Sequence, residues 1–240
     1  MSEGRHHVRR TLTLLTAGES PLSLDEVKAH LRVETDDDDD LIMALIDAAR
    51  NYVDGRDGIL GRALLTQQWR MQRERFSWYP FPYAAAPYDY TWLNRDWAWD
   101  PWAWRRAFSV YIPLPPLVSI DSVTYLGADS AETPTTMNPS AYKIVQGGNF
   151  ESYLLPVTGT TWPATAIEPD AVTIDFTCGY ASVAALNAER RSIGQAMKLM
   201  VGLWYENREA ALVANRAASV ELSFAVQTLL APHRLPGSMV

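Results

Sequence analysis

The chain has 240 residues, enough for one large domain or two small ones, and its 48% hydrophobic and 20% charged content is that of a globular protein. A net charge of −7 argues against a general nucleic-acid-gripping surface, because phosphate contact needs clustered Lys and Arg. The single cysteine, Cys178, excludes an intrachain disulfide framework, and no apolar run reaches membrane-spanning length.

The first ten residues lack the apolar stretch of a signal peptide and read as a loose basic arm. Residues 21–65 are the stretch around which the chain is organised. Ser23 stands three residues before Glu26, the spacing of a reciprocal capping box, so a short helix starts near Leu24 with Val27 and Leu31 on one face. A second helix starts within the acidic run 36–40 and ends near Asp54. Its stripe is Ile42, Leu45, Ile46, Ala49, Tyr52 and Val53, and Gly55 and Gly58 stop it. Each large side chain of that stripe contributes roughly 1.5–3 kcal/mol on burial, before ordering entropy.

From Leu64 to Phe76 the period changes to two. Trp69 and Met71 alternate with Gln68, Arg70 and Gln72, as in a strand with one wet face. Thirteen of the 33 residues from 76 to 108 are aromatic, and Pro80, Pro82, Pro87 and Pro101 forbid a continuous helix or central strand there. Residues 111–126 return to strands, with a phase change near Asp121 that calls for a bulge or two covered faces. Tyr142 to Val145 is a short strand. Val172, Ile174, Phe176 and Cys178 alternate with polar residues in the clearest strand of the chain.

A long helix begins near Asn187, with Ile193, Ala196, Met197, Met200, Leu203 and Trp204 on its stripe; Gly194 and Gly202 suggest close packing. Residues 219–224 look extended, and residues 225–230 form a short last helix stopped by Pro232. The expected class is α+β: a helical frame with an inserted β-rich subdomain. The expected division is residues 1–65, then 66–185 with the aromatic excursion 76–108, then 186–240.

Candidate chemistry is sparse. The acidic run lacks the alternating ligands, turn glycine and distal Glu of a calcium loop, so it reads as a helix N-terminus matched to the macrodipole. The chain has no G-x-S-x-G, phosphate-cradling G-x-x-x-x-G-K, H-E-x-x-H or C-x-x-C. His30 reads as a packed or surface residue, and Cys178 as a buried, inert thiol. Trp204 to Glu209 reads as a helix end with a Glu–Arg surface pair. The aromatic excursion fits a stacking surface for sugars or bases, a membrane-interface anchor, a protein contact, or a loop packed on its own sheet. Acidity disfavours bases, and Arg95, Asp96, Asp100, Arg105 and Arg106 disfavour lipid. Trp92, Trp97, Trp99, Trp102 and Trp104 are therefore the candidate residues for contact between subunits or rings. The expectation is no catalytic residue, no metal and no cofactor.

Four stretches together carry a resemblance. P-L-S-L-D-E-V-K-A-H-L-R-V-E-T-D-D-D-D-D-L-I at residues 21–42 is similar to the N-terminal signature of tailed-bacteriophage head–tail connector (adaptor) proteins. G-R-A-L-L-T-Q-Q-W at residues 61–69 resembles the segment after the second helix of that family. L-W-Y-E-N-R-E-A at residues 203–210 and V-E-L-S-F-A-V-Q-T-L-L-A-P-H-R at residues 220–234 resemble its C-terminal part. The aromatic excursion departs from the shorter family pattern.

The resemblance implies a structural virion protein, made in the bacterial host cytoplasm, that forms a ring of expected twelve-fold symmetry beneath the portal protein. Related rings occur in gene transfer agents. Such a ring contacts neighbouring copies of itself and a tail-completion or stopper protein. DNA passes through it without sequence-specific binding, and no membrane is involved. On that reading Phe224, Val226, Leu229, Leu230, His233 and Arg234 form a portal-facing anchor that orders on binding. The competing arrangement is a tail folded back on its own helices. A carbohydrate- or receptor-binding virion protein using the Trp-rich loop is the alternative function, and a hydrolase with unrecognised carboxylates is a third.

Overall fold

The computed structural model describes residues 10–76, 109–128, 130–146, 152–207 and 224–235. The architecture is α+β, and the chain divides into two compact units: Met1–Thr16 with Gln68–Thr177, and Ala17–Gln67 with Cys178–Val240.

The second unit is helical. Helix α1 spans Leu24–Leu31, α2 Asp39–Val53, α3 Val183–Glu206 and α4 Phe224–Leu230, followed by a 3-10 turn at Ala231–His233. The Ser23 hydroxyl accepts from the Glu26 N–H as the capping spacing predicts. The reciprocal half of the box is replaced: the Glu26 carboxylate accepts instead from Lys198 Nζ of α3, at 2.6 Å. Ile42, Ile46, Ala49 and Val53 are the buried stripe of α2, and Leu45 and Tyr52 pack partly against the same core.

Helix α3 starts four residues before Asn187, because the Ser182 hydroxyl accepts from the Ala185 N–H and caps it at Val183. It kinks at Arg190, whose φ and ψ of −140° and 42° are not helical. Gly194 and Gly202 do not mark close packing. A β-carbon would lie 3.7 Å from the nearest atom at either position, an ordinary contact distance.

Among the described residues the first unit carries eight strands, of which β2 and β8 each run one residue into the second: β1 Arg10–Thr16, β2 Gln67–Arg73, β3 Val110–Ile112, β4 Leu117–Gly127, β5 Ser130–Thr136, β6 Tyr142–Gln146, β7 Ser152–Pro156 and β8 Val172–Cys178. Five form one sheet in the order β1-β2-β8-β4-β5, and three form a second in the order β3-β7-β6. Trp69 and Met71 of β2 and Val172, Ile174, Phe176 and Cys178 of β8 are buried. Phe76 stacks on Trp162 at 4.7 Å between centroids and meets Tyr125 edge-on at 5.8 Å.

The half-buried side of β8 is a polar ladder. Arg70 of β2 holds Asp175 through two bonds of 2.8 and 2.9 Å, Ser122 donates to Asp175, and Thr177 donates to Asp121. Asp121 and Ser122, adjacent on β4, thus both reach polar residues on one side of β8, an arrangement that a regular pleat does not allow.

Candidate functional site

The strongest assembly of polar groups lies in the helical unit, where the C-terminal segment meets a buried arginine pair. Val226 and Leu230 of α4 are 1% and 2% exposed and belong to the unit's apolar core, with Leu229 partly packed against it. A seven-residue helix is too short to be stable alone in water, so this packing is what holds it. Among the candidate anchor residues, Phe224 is 84% exposed and Arg234 is on the surface. The segment therefore lies folded back on the chain's own helices.

Arg62, in the connection that follows α2, is 1% exposed, and its Nε donates to the His233 carbonyl at 2.8 Å. The backbone around it is fixed by a close run of 64–66 beside Tyr180. The Tyr180 N–H donates to the Leu64 carbonyl, and the Thr66 hydroxyl to the Tyr180 carbonyl. Arg190 turns inward at the α3 kink. Its Nε donates to the Tyr180 hydroxyl at 2.7 Å and its Nη1 to His233 Nδ1 at 2.9 Å. Tyr180 in turn donates to Glu189 Oε2, and His233 Nε2 meets the Ser192 hydroxyl. Burial first, then the Arg190 charge, pushes Arg62 down to about 10. Burial and the two guanidinium groups, Arg190 before Arg62, lower the His233 pKa below its ordinary value.

A second polar site orders the acidic run. Lys28 Nζ bridges Asp36 at 2.7 Å and Asp39 at 2.6 Å, and the Tyr205 hydroxyl donates to Asp38. The Lys28 hydrogen bonds, with its charge, hold Asp36 below the usual carboxylate range. The run is thus a clasp between α1, α2 and α3. Tyr205 belongs to it; the helix end read at Trp204 to Glu209 falls at Glu206, and Arg208 and Glu209 lie outside the described residues.

Asp54, at the end of α2, accepts from the Leu64 N–H and the Gln67 amide, and burial raises its pKa. Among the described residues no group of three or more His, Cys, Asp or Glu could hold a metal ion, and no helix is long and apolar enough to cross a membrane. Cys178 is fully buried and His30 is on the surface. Trp92, Trp97, Trp99, Trp102 and Trp104 lie outside the described residues. Sequence reasoning missed Arg62 and Arg190. Arg190 carried a signal, since it sits four residues after Leu186 and three before Ile193, on the helix's apolar stripe.

Residues 21–74 match the family described as Phage gp6-like head-tail connector protein. This stretch covers α1, α2 and β2, so the resemblance seen at residues 21–42 and 61–69 is a family-level similarity. Among curated proteins none matches the chain. Among solved structures, a chain from the "Neck of empty GTA particle computed with C6 symmetry" is similar at TM-score 0.64 and 20% identity. The alignment covers 94% of this chain and 96% of that one. A chain from the "Virion of native gene transfer agent (GTA) particle" aligns over the same shares at TM-score 0.61 and 20% identity. One from the "Neck of native GTA particle computed with C12 symmetry" does so at TM-score 0.55 and 19% identity. The fold is shared with these chains over nearly their whole length.

Proposed function

We propose that this chain is a non-catalytic connector subunit of a phage-like particle. It forms a ring with copies of itself at the head–tail junction, between the portal protein and a tail-completion protein. The observation that carries this reading is a fold shared end to end with neck chains, joined to a connector-family match over residues 21–74. The neck symmetries named for those particles, six-fold and twelve-fold, are both compatible with a ring of twelve, which supports the same number here.

We assign portal contact to the C-terminal segment, with exposed Phe224 and Arg234 leading and Val226, Leu229 and Leu230 available when the segment lifts. Truncating the tail is a poor test, because Val226 and Leu230 are core residues. The test is co-expression with the portal protein of the same particle, followed by electron microscopy of purified portals. The expected result is a ring of this chain on the portal, and Phe224→Ala should reduce its occupancy at least about threefold, as loss of an interface aromatic does. Bare portals from the unaltered chain would overturn the reading. Full occupancy by Phe224→Ala would remove the assignment to this segment.

A further inference from the structure

At the last described turn of the chain, beyond the core residues Val226 and Leu230, several polar contacts converge on His233. Leu60 accepts from the Leu235 N–H at 3.2 Å, while Arg62, Arg190 and Ser192 all bond His233 itself. An arginine nitrogen can only donate, so His233 Nδ1 must be the bare acceptor of Arg190. The ring proton is then on Nε2, where the Ser192 oxygen accepts it. This geometry admits only the neutral imidazole.

The groups facing the ring from each packed element favour the same state. On α3 they are Arg190 and Ser192, flanked by Glu189 and Arg191. From the connection after α2 comes Arg62, and on the segment itself Arg234 is next in sequence. Glu189 is the one carboxylate of this set, and it accepts from the Tyr180 hydroxyl. A second ring proton would turn Arg190's acceptor into a donor and set a third positive charge beside Arg62 and Arg190.

We propose that neutral His233 is a proton-sensitive latch: it holds the C-terminal segment on the helical unit, and protonation of the ring releases that segment. The direction of the charge effect agrees. Closure lowers the histidine below its ordinary 6.5, so the closed state is favoured above that pH. Its advantage is lost as pH falls from 6.5 towards the closed-state value, by about tenfold in the closing equilibrium for each unit of depression. That release serves docking rests on the assignment of this segment to the portal; the latch does not.

Hydrogen exchange on the full chain tests it, with rates corrected for the intrinsic effect of pH. Between about pH 7.5 and about pH 5.5, on either side of the ordinary 6.5, peptides covering 224–235 should lose protection, by up to about tenfold, while those of α2 keep theirs. His233→Gln, neutral at both values, should show the same protection at both. A nitrogen-15 histidine spectrum should show an Nε2–H tautomer titrating below the ordinary value. Unchanged protection of 224–235 in the native chain overturns the latch, as does an acid-induced loss that persists in His233→Gln. Should His233→Gln be open at both values, the spectrum decides: an Nδ1–H ring, or a pKa at or above 6.5, ends the proposal. Failure to bind portals with the exchange pattern intact would count against the connector reading alone.

Discussion

Asp175 is held by two bonds from Arg70 and one from Ser122, and the Arg70 hydrogen bond is the largest cause of its lowered pKa. A carboxylate depressed on folding stabilises the folded state above its unfolded pKa, near 3.8, and that stability is lost as pH falls through the lower folded value. The Arg70 side chain is 43% exposed, so solvent screens the pair. Asp175→Asn is expected to cost about 1 kcal/mol at neutral pH, with the gap closing at a pH below 3.8. Urea denaturation at both pH values measures this, and an equal gap at both would exclude the ion pair as the cause. At this scale the sequence was uneven. The Val172 to Cys178 alternation placed Cys178 in the core, where it lies fully buried. The acidic run was read without its counter-ion, because Lys28 lies eight and eleven residues away and only the turn between α1 and α2 brings it back.

Helices were the most legible elements, because a 3.6-residue period over two or more turns survives any tertiary arrangement. The α2 stripe read from sequence is the stripe observed, and β8 spans Val172–Cys178 as its alternation predicted. Strands β1, β5 and β7 were not foreseen. S-A-E-T-P-T-T has no apolar alternation, and S-Y-L-L-P is too short to show a period, so pairing with neighbours decides them. Strand β1 does alternate Thr and Leu at its start, yet it adjoins a basic terminus that read as a loose arm.

The same substitution should have opposite signs in two elements. Within α3, Gly194→Ala and Gly202→Ala add helix propensity without a clash and are expected to stabilise by about 0.5–1 kcal/mol each. Gly179 has φ +103°, and a β-carbon there would sit 2.1 Å from the Leu65 carbonyl oxygen, so Gly179→Ala should cost at least about 3 kcal/mol. Thermal melts should then move up by a few degrees for the helix variants and down sharply for Gly179→Ala. A lower melting temperature for Gly194→Ala would mean that the kink at Arg190 depends on that glycine.

Across the whole molecule, the order of helices, strands and helices gave the α+β class, but period alone could not show that β1, before α1 in sequence, pairs with β2. Nor could it supply a partner for the 76–108 segment, where thirteen aromatic residues share 33 positions with four prolines. We propose that this segment contacts a neighbouring subunit or ring, since aromatic side chains in such number are typical of interface cores and large apolar patches mark contact sites. A deletion of residues 79–106 bridged by a short flexible linker tests this. It leaves Phe76 in place, with its stacking on Trp162 and its edge contact with Tyr125. The expected variant melts within a few degrees of the full chain and loses about tenfold or more in ring yield, the scale of losing a hot-spot cluster. Undiminished rings would remove the contact role. A collapsed melt would also count against it, because the segment would then belong to the chain's own core.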